Sequence, residues 1–369
     1  MTIFRYIDKY GNLTFKEKPL NDIDKLIFAL LSYVKYDGSI STNSFDRRTI
    51  KDIADKFFED KTRTDIKTNI TAIRTAIKVL DKIKNKERYM NLKMFNDVYL
   101  GDDNKQFSAV CIEINPKLIY VSFEGTDELM SGWEEDGALS YKFPIPSQSH
   151  AIRYLNLHFT LRDCKIIVGG HSKGGNLSLV ASMYANFIVK NKIIEVWNFD
   201  GPGLRNKQFF TSRFEEITRK YHFVIPNTSV VGLLLRNDGR YTVVKSNALP
   251  FFSHNAATWQ VGEDTFVTTD LSAFSKIVDR GITEWLQKYS AEEREEYFKS
   301  FFNVFDKNNI ESLLDIMKNY KLVISIIKEL GNTSDKFKEM SRDLASLVRH
   351  VNREYLKSKF SIRNLLKRD

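Results

Sequence analysis

A chain of 369 residues with 42% hydrophobic content can bury a sizeable core, as one large domain or a core with appendages. No apolar run approaches the roughly 18 residues of a transmembrane helix, and the first residues lack a signal peptide's apolar stretch and small-residue cleavage site. The net charge of +9 comes from basic residues interleaved with acids, which argues for general lysine richness and against nucleic-acid binding.

Cys111 and Cys164 are the two cysteines, both in or beside strand-like runs. Reduced, buried thiols and a cytoplasmic location are expected. No Cys/His cluster has metal spacing, and neither a metal nor a cofactor is expected.

Residues 1–100 read mostly as a helical region packing on a core. Asn21 and Asp22 cap an apolar helix to Val34, and amphipathic helices are predicted over Thr49–Phe58 and Asp65–Lys84. The pattern changes near Gly101. Phe107–Ile114 and Leu118–Phe123 read as a hairpin of strands ending in Glu124-Gly125-Thr126-Asp127. An apolar loop follows over Ala138–Pro146, and Ser147 is expected to cap a helix to about Leu161. Lys165–Gly169 is a strand. Leu177, Val180, Ala181, Tyr184, Phe187 and Ile188 mark the apolar face of the helix after it. The strand Ile193–Phe199 ends at Asp200-Gly-Pro-Gly203, a helix is expected near Asn206–Lys220, and Tyr221–Ile225 and Tyr241–Val244 are further strands. Strands alternating with helices over 101–265 argue a mixed, mostly parallel α/β sheet with helices on both faces. Residues 266–369 are helical again.

Gly170-His171-Ser172-Lys173-Gly174 lies between the predicted strand and helix. G-x-S-x-G arises often by chance, but strand, G-x-S-x-G and helix together are the context of a nucleophile elbow. Ser172 is the candidate nucleophile. A serine nucleophile needs a base, an acid and oxyanion donors, and on an α/β-hydrolase sheet the order is Ser, acid, His. Of six histidines, His150, His158 and His171 precede Ser172. His222 sits in an apolar strand, where a buried structural role is expected, and His350 on a helix. His254, in a loop after a strand, is the candidate base. Asp200, at a strand end, is the favoured acid, with Asp238 in an Asn-Asp-Gly turn as the alternative. The amide of Lys173 and that of Thr126, whose hydroxyl also lies in the loop, are the candidate oxyanion-hole donors.

Phe123-Glu-Gly-Thr126, Gly132-Trp-Glu-Glu-Asp136, Gly170-His-Ser-Lys-Gly-Gly175 and the late loop His254 resemble the class 3 lipases. The blocks Asn198–Gly203, Ile225–Leu235, Tyr241–Ser246 and His254–Val261 are similar, more closely, to a bacterial family of uncharacterised lipase-like α/β-hydrolases. The resemblance covers about residues 22–262. It implies Ser172 as nucleophile, His254 as base, Thr126 beside Lys173 in the oxyanion hole, and an ester substrate. Two positions depart from it. Class 3 lipases usually carry Arg where Glu124 stands, and they place the acid where this chain has Asn227-Thr-Ser229. The Asn198–Gly203 segment is similar to one in pancreatic-type lipases whose aspartate is the triad acid, which favours Asp200.

The expected activity is that of a serine esterase on a lipid or acyl ester. A thioesterase, a peptidase and a non-catalytic interaction module are the alternatives. The basic amphipathic tail 351–368 is a candidate for peripheral membrane contact, or for packing on its own domain.

Overall fold

The computed structural model of the chain describes residues 1–42, 46–60, 71–102, 105–126, 130–237, 239–250, 252–307, 334–347 and 349. Its centre is an eight-stranded sheet whose strands lie side by side in chain order. They are β1 Arg48–Thr49, β2 Lys93–Asp102, β3 Lys105–Asn115, β4 Leu118–Phe123, β5 Lys165–His171, β6 Ile193–Phe199, β7 Tyr221–Pro226 and β8 Thr242–Val244. Pairing is antiparallel from β1 to β4 and parallel from β4 to β8. The fold is therefore mixed, mostly parallel α/β.

Side-chain alternation divides the strands between two cores. Tyr120, Ile167, Trp197 and Phe199 join the N-terminal helices on one face. Ile119, Val121, Phe123, Ile166, Val168 and Val196 join the other face with Leu155, Leu177 and Val180. The helices before β2 are α1 Ile3–Tyr10, α2 Asp22–Leu31, α3 Ile50–Glu59, α4 Thr71–Ile83 and α5 Glu87–Met90. Asn21 caps α2 in a capping box with Asp24, and Thr49 caps α3. Helix α2 is buried on nearly every side because it lies between α4 and strands β4 and β5.

Helices α6 Met130–Ala138, α7 Pro146–Phe159, α8 Lys173–Tyr184, α9 Phe187–Lys192, α10 Asn206–Phe209 and α11 Ser212–Thr218 follow within the sheet region. Helices α12 Ala273–Lys288 and α13 Ala291–Lys307 and a helical stretch over 335–347 close the described chain. Phe298 and Phe302 of α13 pack over Gly137 of α6.

Several local expectations change. Strands β1 and β2 lie where helix is expected. A bulge between Phe95 and Val98, with Asn96 at φ 54°, breaks the alternation that would have marked β2. Ser147 does not cap α7. Pro146 opens the helix and Gln148 Oε1 accepts from the Ile145 amide at 3.0 Å. The helix after β5 stops at Tyr184 because Asn186 caps a new one. Phe187 and Ile188 are then exposed instead of continuing its apolar face. The helix expected over 206–220 is split in two at the Thr211 cap. In the apolar segment after α6, Leu139 and Ile145 are buried in a small cluster with Tyr141 and Leu235. Cys111 and Cys164 are both free and buried. Among the described residues no helix is long and apolar enough to cross a membrane.

One buried ion pair ties the N-terminal helices together. Arg88 Nε and Nη2 donate to the two Asp24 oxygens at 2.8 and 2.5 Å, and both side chains are fully buried. Arg88 also donates to the carbonyls of Lys18 and Pro19 at 2.6 and 3.0 Å, and Tyr89 Oη donates to Asp24 at 2.8 Å. Breaking such a pair leaves an uncompensated buried charge at a cost of about 3–5 kcal/mol. Asp24→Ala is expected to lower unfolding free energy by that amount, read from urea denaturation.

Candidate active site

Register brings the site together. His171 of β5 is the partner of Phe199 in β6, and Phe199 is the partner of Val224 in β7. Ser172 and Asp200, each one residue further on, therefore emerge from neighbouring strand ends. The Ser172 amide donates to Phe199 O at 2.9 Å and the Asp200 amide to Val224 O at 2.8 Å. Both residues lie in the left-handed half of conformational space, with φ of 57° and 52°. A non-glycine residue there is held by its surroundings, at about 1–3 kcal/mol. Helix α8 starts at Lys173, the Gly175 amide donates to Ser172 O at 2.8 Å, and the positive end of the helix lies at the turn.

His254 closes a one-turn 3-10 helix, Phe252–His254. That turn is anchored by Trp259 Nε1, which donates to Ser253 O at 2.8 Å, and by Ser253 Oγ, which donates to Thr228 O at 3.2 Å. His254 Nδ1 is 2.7 Å from Asp200 Oδ2; the Asp200 side chain is 1% exposed and that of His254 27%. The other carboxylate oxygen, Oδ1, accepts from Ser229 Oγ at 2.5 Å and the Gly232 amide at 3.1 Å. Burial raises the Asp200 carboxyl above its ordinary range, opposed by His254, Ser229 and Gly232. With Oδ1 already accepting two hydrogens, the ionised form is the one this cage suits, and His254 Nδ1 is then the donor to Oδ2.

The loop after β4 runs against the elbow. A Cβ on Gly125 would lie 2.8 Å from Ser172 Cβ and 2.0 Å from Tyr33 Oη, so only glycine fits. Thr126 Oγ1 donates to Asp136 Oδ2 at 2.7 Å. Asp136 Oδ1 is buried without a hydrogen-bond partner, and burial holds this carboxyl up at about 6. Lys173 turns its side chain inward, where Nζ donates to Glu135 Oε2 at 2.9 Å. Burial would lower the Lys173 ammonium, but the Glu135 and Asp136 carboxylates outweigh it and hold it above its ordinary value. Glu135 Oε1 accepts from the Ser147 amide at 2.8 Å, tying α6, α7 and α8 together.

His171 faces away from the turn and reaches the backbone of His254, with Nε2 2.8 Å from its carbonyl oxygen. His222 is exposed rather than buried, its ring stacked on Trp197 with centroids 4.3 Å apart. The alternative acid Asp238, Asp127 of the loop after β4, His350 and the basic tail 351–368 lie outside the described residues. Tyr33 and Lys35 are contributors that sequence reasoning does not find, because their residue types carry no motif. Ser229 and Glu135 lie in the blocks that carry the resemblance, but only the fold shows their part at the turn. Lys35 Nζ donates to Glu124 Oε1 and Oε2 at 2.7 and 3.0 Å, placing an ion pair directly before Gly125. Among the described residues no group of His, Cys, Asp and Glu could hold a metal ion.

A family model described as Mbeg1-like matches residues 65–303, more than half of the chain. The chain belongs to the Mbeg1-like family. That span contains β2 to β8 and every site residue named above except Tyr33 and Lys35. No curated protein is matched. Among solved structures, M37 lipase is similar at 16% identity and a TM-score of 0.33, covering 72% of this chain and 80% of its own. A lipase from Rhizopus microsporus var. chinensis is similar at 13% identity and a TM-score of 0.32, covering 70% of this chain and 84% of its own.

Asp97, in the bulge of β2, adds a pH dependence near Glu124. Burial, followed by the charge of Glu124, pushes its carboxyl up to about 7, with Lys35 opposing. The unfolded chain titrates this group near the ordinary value of about 3.9. Between those values the folded state holds a proton the unfolded state has lost, so this group's contribution to stability falls as pH rises. Asp97→Asn is expected to gain stability relative to the parent between pH 4 and 8, on the order of 1–3 kcal/mol at pH 8, read as the difference in denaturation midpoints.

Proposed function

We propose that this Mbeg1-like protein is a serine hydrolase that cleaves a carboxylic ester, of the lipid or acyl type, by a two-step acyl-enzyme mechanism. The observation that carries the reading is the 2.7 Å Asp200–His254 contact, set beside a serine held at φ 57° at the start of a helix. In this reading Asp200 Oδ2 accepts from His254 Nδ1–H and leaves Nε2 as the base. Nε2 takes the Ser172 hydroxyl proton as Oγ bonds to the ester carbonyl carbon. The carbonyl oxygen becomes an oxyanion and accepts from the Thr126 and Lys173 amides. Collapse breaks the carbon–oxygen bond to the leaving alcohol, which receives the proton from His254. Water, deprotonated by the same nitrogen, then cleaves the acyl-serine.

The Thr126–Asp136 hydrogen bond supports the loop's part in this, because it fixes the residue whose amide would face the oxyanion. The preference for an apolar ester rests on the segment that carries His254. Leu249 is 48% exposed and Phe252 is 62% exposed, two large apolar side chains beside the proposed base. Apolar surface next to a reacting centre favours an apolar acyl or alkyl group by about 25 cal/mol per Å² buried.

Hydrolysis of p-nitrophenyl esters of increasing chain length tests the reading. The parent protein is expected to prefer medium chains over acetate. Ser172→Ala and His254→Ala are each expected to lower kcat by at least about 10³-fold, and Ser172→Ala to abolish labelling by a fluorophosphonate. Folded parent protein that neither hydrolyses any ester nor labels would sink the proposal. Phe252→Ser is expected to lower kcat/KM for octanoate several-fold and leave acetate nearly unchanged.

A further inference from the structure

The histidine inside the elbow does work of its own. The carbonyl oxygen of His254 can only accept, and His171 Nε2 lies 2.8 Å from it, so Nε2 carries a hydrogen. Burial depresses the His171 imidazole to about 3, so the ring is neutral and its Nδ1 is a bare acceptor. Tyr33 Oη is 3.0 Å from that Nδ1 and 3.2 Å from the His171 carbonyl. The hydroxyl hydrogen is therefore shared between Nδ1 and the His171 carbonyl, both acceptors, and the Tyr33 contact matches the Nε2–H tautomer that the His254 carbonyl requires. Tyr33 and His171 are buried, and the His171 and His254 rings sit 4.6 Å apart.

We infer that Tyr33 and His171 are positioning residues for His254: Tyr33 holds His171 in its Nε2–H form, and that N–H clamps the His254 backbone carbonyl. His254 is then held at two points, its ring by Asp200 and its main chain by His171. Two fixed points leave the free imidazole nitrogen one direction. The other tautomer would set a lone pair of Nε2 against the His254 carbonyl and a hydrogen of Nδ1 toward Tyr33, and the turn 252–254 would have to shift. The catalytic consequence rests on the serine-hydrolase reading; the tautomer assignment does not.

Tyr33→Phe keeps the ring and removes only the donor. In the full chain it is expected to lower kcat on a p-nitrophenyl ester roughly 10- to 100-fold, with KM within about twofold, because a small misplacement of a catalytic group carries that penalty. The fluorophosphonate labelling rate should fall in proportion. His171→Gln can offer an amide N–H to the same carbonyl and should retain kcat within about tenfold of the parent, whereas His171→Phe should lose about 100-fold or more. Long-range 1H–15N spectra of histidine-labelled protein, assigned with His171→Gln, should show His171 as the Nε2–H tautomer in the parent. An active parent whose Tyr33→Phe variant keeps kcat within twofold would overturn the inference and leave the hydrolase reading standing. A proton found on His171 Nδ1 would overturn it as well. If the parent neither hydrolyses esters nor labels, the hydrolase reading fails and the spectra alone decide the clamp. Should Tyr33→Phe fail to fold, the parent spectrum and the Gln/Phe pair at 171 still decide it.

Discussion

Steric crowding at the turn from β5 into α8 sets the position of everything else in the site. A Cβ on Gly174 would lie 2.1 Å from Phe123 O, and one on Gly170 would lie 2.4 Å from Gly174 O. The start of α8 is thus pressed onto the end of β4, closer than any side chain allows. Ser172 lies between those two glycines and takes the strained φ that the reversal demands. The strain persists because α8 is buried along nearly its whole length and cannot move away to relieve it. The same closeness brings Gly125 against Ser172. The elbow and the loop after β4 are therefore one packed unit.

The polar groups around this unit follow from its burial. A buried ammonium, carboxylate or amide must be paired, and each pairing here joins two segments. Lys173 and Glu135 join α8 to α6, and Glu135 then holds the start of α7 through the Ser147 amide. Gln148 Nε2 donates to Asn176 Oδ1 at 2.8 Å, and Asn176 Nδ2 donates to Gly203 O at 2.7 Å, which carries the connection on to the segment after Asp200. Glu124 and Lys35 join the loop after β4 to the chain leaving α2. Satisfied networks of this kind specify one arrangement of loops more sharply than apolar packing does.

How much of this was legible in the sequence depended on whether the signal was local. The elbow is local: glycines, serine, a strand before and a helix after. Asp200 is legible from its place at a strand end and His254 from chain order and its place in a loop after a strand, and a hydrogen bond joins the two. Ser229 and Tyr33 carry no such pattern. They reach the site through the parallel register of β6 and β7 and through the packing of α2 on β4 and β5, neither of which is written in nearby residues. Strand β2 was hidden by its bulge, and the end of α8 by apolar residues that continue past Asn186 into a separate, exposed turn. Where a cap or a bulge competes with periodicity, periodicity overruns it.

The two departures from the class 3 lipase pattern have a common physical form. In the segment where that pattern puts an acid, this chain has Asn227-Thr-Ser229, and the Ser229 hydroxyl donates to Asp200 Oδ1. A second carboxylate there would face Asp200 in a buried site and push both groups toward protonation. A serine instead supplies a hydrogen that favours the charged form of Asp200. Where the pattern has Arg, this chain has Glu124, and the cation is Lys35, which approaches from the N-terminal segment. Lys35 is two residues from Tyr33, so one short segment leaving α2 touches both the loop after β4 and the elbow. The N-terminal helical region is thereby part of the site's support, although none of its residues is assigned a chemical step.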